Sequence, residues 1–418
     1  MHYFRYKKGV LHAEDVSITE LVERYGSPLY IYSASTIERH FLAYQRAFKG
    51  IPHIVCYALK ANSNAGILKL LASLGSGADI VSGGELFRAL KAGIHPKKIV
   101  YAGVGKRDDE IEYALKKGIL MFNIESEEEM MRIDEIAGRL GKKAPVALRI
   151  NPDIDPGTHP YISTGLKKHK FGLPIENALE YYRKASSLPN TRVVGIHKHI
   201  GSQITRVEPF ADALERILLL VDRLREEGMA IQYLDMGGGL GIRYSDEDAP
   251  YPSELAKKVK PLIKNKNITL VLEPGRSIIG NAGIFVTQVL YRKPGDGKEF
   301  VVVDGGMNDL MRPSLYNAYH EIIPVKKTRR KEVFADIVGP ICESGDFLGK
   351  ERNIPRPAQG ELLAVLSAGA YGFSMSSNYN SRPRPAEVLV KGGEHYLIRE
   401  RETLKDLVRG EKIPGFLR

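Results

Sequence analysis

The sequence predicts an α/β fold: a (β/α)8 TIM barrel followed by a second, C-terminal antiparallel β domain. Two observations carry this. Eight short apolar, β-branched runs alternate with helical-period stretches between about residues 52 and 280, and the pattern loses its helices near residue 281. Strand, helix, strand, helix implies a parallel sheet covered by helices, and eight such strands close a barrel.

The strand-like runs, in order, are HIVCYALK, ADIVS, KIVYAGVG, LMFNIES, PVALRINP, RVVGIHKHIGS, IQYLDMGGG and ITLVLEPGRS. Between them GILKLLASL, ELFRALKAG, DDEIEYALKKG, SEEEMMRIDEIAGRL, PFADALERILLLVDRLREEG and YPSELAKKVKPLIK repeat apolar residues at three- and four-residue steps. Most of them stop at Gly, as helices do. Residues 151–180 have loop composition, and loops of that length tend to be functional. Beyond residue 281 the runs IFVTQVLY, FVVVDGG, VFADIVGP, ELLAVLSAG and AEVLVKGG are broken by Gly, Pro and Asn turns, which predicts antiparallel strands. The expected division is a barrel over 28–280 and a β domain over 281–418, with residues 1–27 packing on the latter.

Composition excludes several classes. With 418 residues, 43% hydrophobic and 27% charged, the chain is neither disordered nor fibrous. No apolar run reaches the ~18–20 residues of a membrane span, and the N-terminus lacks the apolar core of a signal peptide. Two cysteines, Cys56 and Cys342, offer no disulfide framework, so a cytoplasmic location is expected. The net charge of +11 is spread along the chain without a nucleic-acid signature. Its densest cluster, KKTRRK at 326–331, reads as a solvated loop, and the charge suits a small anionic ligand.

Lys60, Arg149, His199, the glycines 237–239 and Glu273 fall at or just past the C-terminal ends of predicted strands, the face on which such barrels build active sites. A partly desolvated Lys there attacks carbonyls. GGGLG at 237–241 and EPGRS at 273–277 close strands seven and eight, the usual phosphate loops of this fold. His197 and His199 lie two residues apart. A metal pair is one reading, but it lacks enough partner ligands beyond Glu273, and no metal is expected. A flat imidazole also stacks on an aromatic cofactor. CESGD at 342–346 sets Cys342 between acids in a Gly-bearing turn, which looks exposed rather than core.

Taken together, YALKAN, HIGSQ, GGGLG, EPGRS, RPSLY, CESGD and AGAYG resemble, in this order and over nearly the whole chain, the pyridoxal-phosphate enzymes of the alanine-racemase barrel type, and within them the diaminopimelate decarboxylases. The resemblance implies that Lys60 carries pyridoxal 5'-phosphate as a Schiff base and that His199 stacks on its ring. Ser202, Gly238, Gly239, Gly275 and Arg276 surround its phosphate, Arg149 approaches its phenolic oxygen, Tyr371 comes from the β domain and Glu273 pairs with the pyridine nitrogen. A carboxylate there keeps the nitrogen protonated, which favours decarboxylation over racemisation. Diaminopimelate carries a distal carboxylate for Arg276, Arg312 and Tyr316 and a distal ammonium for Glu343. The resemblance further implies that Tyr371 reaches the substrate and that Cys342 protonates the carbanion, in a site shared across a homodimer. The alternatives are an ornithine, arginine or other polyamine-pathway decarboxylase, and a cofactor-binding regulator that has lost catalysis.

Overall fold

The computed structural model describes residues 2–154 and 170–417. It separates into two compact units, one of residues 37–279 and one of 1–36 with 280–418.

The first unit is a closed barrel. Its strands are His53–Ala58 (β1), Gly77–Ile80 (β2), Ile99–Tyr101 (β3), Met121–Ile124 (β4), Ala144–Asn151 (β5), Thr191–His197 (β6), Tyr233–Asp235 (β7) and Thr269–Leu272 (β8). Each pairs in parallel with the next, and β8 returns to β1 through Leu270 opposite His53. All eight coincide with the predicted runs. Apolar side chains of neighbouring strands, among them Cys56, Val100, Met121, Ala147, Val194 and Val271, form one continuous buried cluster. Burial on both faces explains why these strands read as unbroken apolar runs.

Helix ends follow local chemistry. Ser82 and Ser126 accept the N–H groups of Glu85 and Glu129 at the starts of Gly83–Ala92 and Glu127–Arg139. Gly93 and Gly118 close Gly83–Ala92 and Asp108–Lys117 in the left-handed conformation.

Part of the loop expected over 151–180 lies in residues 155–169, outside the described residues. Its remainder is more ordered than expected. Leu173–Pro174 runs parallel to the end of β5, and a helix, Ala178–Ser187, follows. That helix escapes the pattern because ALEYYRKASS is short and buries only Ala178, Tyr182 and Ala185.

The second unit is the separate β domain expected, with parallel pairings added to its antiparallel ones. Its large sheet is mixed: Glu299–Val303 pairs in parallel with Glu332–Val338, and Ala386–Lys391 with Leu29–Ser33. Leu29–Ser33 sits inside the span expected to be barrel, yet it lies between Gly283–Pro294 and Ala386–Lys391 in this sheet. A strand this apolar carries no sign of which sheet takes it. Residues 4–17 add a three-stranded sheet, and Phe4, Leu11, Val16 and Leu21 share a core with Ile284, Val325 and Val388. The basic run at 326–331 is an exposed connection, apart from the half-buried Thr328.

Candidate active site

After β1 the chain turns into one 3-10 turn, Leu59–Ala61, which lifts Lys60 from the strand. Its Nζ lies 2.8 Å from Oδ2 of Asp79, a wholly buried carboxylate of β2, while the lysine side chain is 37% exposed. A buried anion thus anchors a reachable amine. Sequence reading passes over Asp79, although an acid inside an apolar parallel strand is itself unusual.

The ends of β6, β7 and β8 bring His197, Asp235 and Glu273 together, with one side-chain atom of each within 4.8 Å of the others. His197 Nε2 lies 3.7 Å from Glu273 Oε2. Asn123 of β4 donates its amide to Asp235 Oδ2 at 3.1 Å and reaches Glu273 Oε1 at 3.5 Å. Burial, then the charge of Asp79, pushes Glu273 up to about 8, and burial with the charge of Glu273 raises Asp235 well above the carboxylate range. Burial holds His197 down to about 4, so its ring is neutral.

His199 follows one alternation beyond His197, and its Nδ1 accepts the Gly238 N–H at 3.3 Å. Desolvation, then the charges of Arg149 and Lys60, keeps it well below its usual range. Hence Nε2 bears the proton of a neutral ring. Lys198 points the other way and is wholly buried, with Nζ donating to the Phe210 carbonyl at 3.3 Å.

Arg149 of β5 is buried, with Nη1 donating to Glu125 Oε1 at 2.8 Å. Burial alone would raise Glu125, but the adjacent Arg149 guanidinium, with lesser contributions from His197 and Lys106, leaves the carboxyl lowered. Arg276 Nη2 donates to Ser202 Oγ at 3.1 Å and Nη1 to the Tyr244 hydroxyl at 2.6 Å. The glycines permit close approach of three strand-end loops. A Cβ on Gly238 would sit 2.1 Å from the Glu273 carbonyl oxygen, and one on Gly239, at φ +119, would sit 2.3 Å from that of Gly201. Gly275 lies against the methyls of Ala58 and Ala61, 3.1 Å from each to its own ideal Cβ.

The β unit holds the other predicted residues. Arg312 is buried at the start of the helix Arg312–Tyr316, and Tyr316 ends it, half-buried. Arg312 Nη1 donates to His320 Nε2 at 2.9 Å, and His320 Nδ1 to the Leu366 carbonyl at 2.8 Å. Cys342 and Glu343 are exposed, as the turn composition predicts. Asp346 is instead buried and fastens the turn, accepting the N–H groups of Met307 and Ile341 at 2.6 Å each. Two residues that sequence reading missed complete the turn. Asn380 Oδ1 accepts the Cys342 N–H at 2.8 Å, and the Glu343 carboxylate raises the adjacent Tyr379 hydroxyl above its usual range. Tyr371 lies in the AGAYG turn at φ +56.

Residues 34–280 match the family model described as the pyridoxal-binding domain of the pyridoxal-dependent decarboxylases. A diaminopimelate decarboxylase of Aquifex aeolicus is 55% identical over 407 residues, covering 97% of this chain and 96% of that one. The chain belongs to the diaminopimelate decarboxylases. A solved diaminopimelate decarboxylase from M. jannaschii, in complex with L-lysine, superposes with a TM-score of 0.95 at 41% identity, covering 99% of each chain. One from Helicobacter pylori, also with L-lysine, gives 0.90 at 45%, covering 94% of this chain and 98% of that one. A lysine/ornithine decarboxylase of Vibrio vulnificus complexed with putrescine, at 21% identity and a TM-score of 0.79, covers 89% of this chain and 97% of its own and shares the fold.

Pyridoxal phosphate is the cofactor of this decarboxylase, and the barrel fits it. Arg149 Nη2 and both ring nitrogens of His197 are buried with no hydrogen-bond partner among the described residues, so the mouth carries polar groups that a polar ligand satisfies. Ser202 and Arg276 converge beside the glycines at the place expected for the phosphate. Among the described residues, no helix is long and apolar enough to cross a membrane.

Proposed function

We propose that this chain decarboxylates meso-2,6-diaminopimelate to L-lysine and CO2, the last step of lysine biosynthesis. The observation that carries the reading is a reachable Lys60 anchored on Asp79 in the same barrel as a buried carboxylate, Glu273, where racemases of this fold carry an arginine. Pyridoxal phosphate, when bound, supplies an electron sink for the carbanion left by CO2. Lys60 holds it through the ε-amine. Ser202, Gly238, Gly239, Gly275 and Arg276 bind the phosphate, Arg149 the phenolic oxygen, and Glu273 the pyridine nitrogen. His199, neutral and fixed through Gly238, offers a flat ring for stacking.

For the substrate, Arg276, Arg312, Tyr316 and Tyr371 bind the distal carboxylate end and Glu343 the distal ammonium. Arg312 is suited to this because His320 accepts its hydrogen bond without neutralising the guanidinium. Cys342, exposed on a turn braced by Asp346 and Asn380, returns a proton to the carbanion. Its exposure and the family resemblance support a homodimer in which Cys342 and Glu343 serve the partner subunit's barrel. Two unpaired cysteines suit a cytoplasmic enzyme.

The test is CO2 release from diaminopimelate, lysine, ornithine and arginine side by side. Release from diaminopimelate alone is expected. Faster release from ornithine or arginine would move the assignment to the polyamine pathway, and binding of the cofactor with no release at all would favour a regulator.

A further inference from the structure

The motif HIGSQ supplies His199 and Ser202 to the site, but the chemistry above makes no use of its last residue, Gln203. Its side chain crosses instead to the loop that follows β7. Gln203 Nε2 donates to the Ile242 carbonyl at 2.6 Å, and Gln203 Oε1 accepts the Ile242 N–H at 3.1 Å. Only one orientation of the amide does this, since the flipped group sets donor against donor and acceptor against acceptor. The pair copies the two-bond exchange of an antiparallel ladder, with a side-chain amide in place of one peptide.

This amide continues a backbone seam. Ile204 N–H donates to the Gly239 carbonyl and Gly241 N–H to the Ile204 carbonyl, both at 2.9 Å, and Ile204 bridges Leu240 in parallel. Gln203 then fastens the next residue along, Ile242. Beyond it the Tyr244 hydroxyl accepts Arg276 Nη1 at 2.6 Å, and Arg276 Nη2 returns to Ser202 Oγ at 3.1 Å. The contacts close a ring from Ser202 and Gln203 through Ile242, Tyr244 and Arg276 back to Ser202. Gly238 and Gly239, both half-buried, lie in the loop so held. Gln203 also adopts φ +58, a left-handed backbone that is unfavourable for most L-residues. Glycine takes that backbone without strain, and the two hydrogen bonds are what the glutamine adds.

We infer that Gln203 is a positioning residue for the cofactor's phosphate: by clamping the peptide of Ile242, it holds the GGGLG loop against Ser202 and Arg276 before the cofactor binds. The inference rests on the reading of Ser202, Gly238, Gly239 and Arg276 as the phosphate cradle. A cradle already in place has less to order when the anion enters, so loss of the clamp falls on the phosphate and not on the aldehyde-bearing ring.

The test compares pyridoxal phosphate with pyridoxal, which keeps the ring and aldehyde and has no phosphate. Full-length protein stripped of cofactor is titrated with each and followed by absorbance. Gln203→Met preserves the length of the side chain and removes both hydrogen bonds. Its Kd for pyridoxal phosphate should rise about tenfold or more, while its Kd for pyridoxal stays within about twofold of the parent's. An unchanged Kd for pyridoxal phosphate overturns the inference. So does an equal loss for both compounds, which marks a general structural role. If Gln203→Met does not fold, Gln203→Asn decides by the same criteria, because asparagine tolerates the left-handed backbone and its amide falls one methylene short of Ile242. Ser202→Ala tests the cradle itself, and a loss confined to pyridoxal phosphate is expected there too. Selectivity in Ser202→Ala without selectivity in Gln203→Met removes only the clamp. Equal weakening of both compounds in Ser202→Ala puts the phosphate elsewhere, and the inference falls with the cradle.

Discussion

Lys60 is legible as special because it ends a strand at the barrel mouth, but its anchor is not. The 2.8 Å contact with Asp79 joins residues nineteen apart through strand pairing, which spacing alone does not reveal. Lys60→Ala should abolish turnover, and borohydride should fix the cofactor to the peptide Tyr57–Asn62 in the parent; label on another lysine would show that the attachment lies elsewhere. Arg312→Ala should raise KM for diaminopimelate at least about tenfold, because a desolvated carboxylate loses a charged donor. Equal handling by parent and variant would leave the distal carboxylate without this partner. Cys342→Ala should keep the cofactor's colour and lose about 10²–10⁴-fold in rate. Loss of stability without a specific loss of rate would mark a structural cysteine, an unexpected result for an exposed side chain.

At the level of elements, the GGGLG turn is the clearest case of sequence dictating geometry. Three strand-end loops pass so closely that a methyl on Gly238 would lie 2.1 Å from a backbone oxygen, which cannot rotate away. Gly238→Ala should therefore cost about 2–4 kcal/mol in stability and weaken cofactor binding, read by melting temperature and absorbance titration. Strand alternation explains Lys198 as well, since HKH sends the lysine to the opposite side from the two histidines. Burial lowers Lys198 to about 7, below its unfolded value near 10.5. The unfolded chain then binds more protons between about pH 7 and 10.5, so this group makes the fold more stable as pH rises through that window, by up to about 1.4 kcal/mol per unit. The melting temperature of the parent relative to Lys198→Met should climb from pH 7 toward pH 10; a flat difference would mean that Lys198 is solvated. Helix Ala178–Ser187 and strand Leu173–Pro174 were illegible because both are short and their partners lie elsewhere in the chain.

For the whole molecule, the shared-site proposal has a test that separates assembly from chemistry. Inactive Lys60→Ala and Cys342→Ala proteins, mixed under conditions of subunit exchange, should recover up to half of one parental dimer's activity per mixed dimer, because one site then holds both residues. No recovery despite demonstrated exchange would confine the two residues to one chain. The barrel itself was determined by the sequence: eight apolar runs spaced by amphipathic stretches leave a parallel closed sheet as the way to bury both faces. The motif residues at strand ends were equally readable, since the register of a strand places its last side chains at the mouth. What only the tertiary structure decided is everything set by partners distant in sequence. Leu29–Ser33 joins the mixed sheet of the β unit because hydrogen bonds from Gly283–Pro294 and Ala386–Lys391 are available on both of its edges. Asp79, Asn123 and Asp235 become site residues for the same reason: barrel closure buries them beside Lys60 and Glu273, and for Asp235 desolvation and the charge of Glu273 then raise the carboxyl.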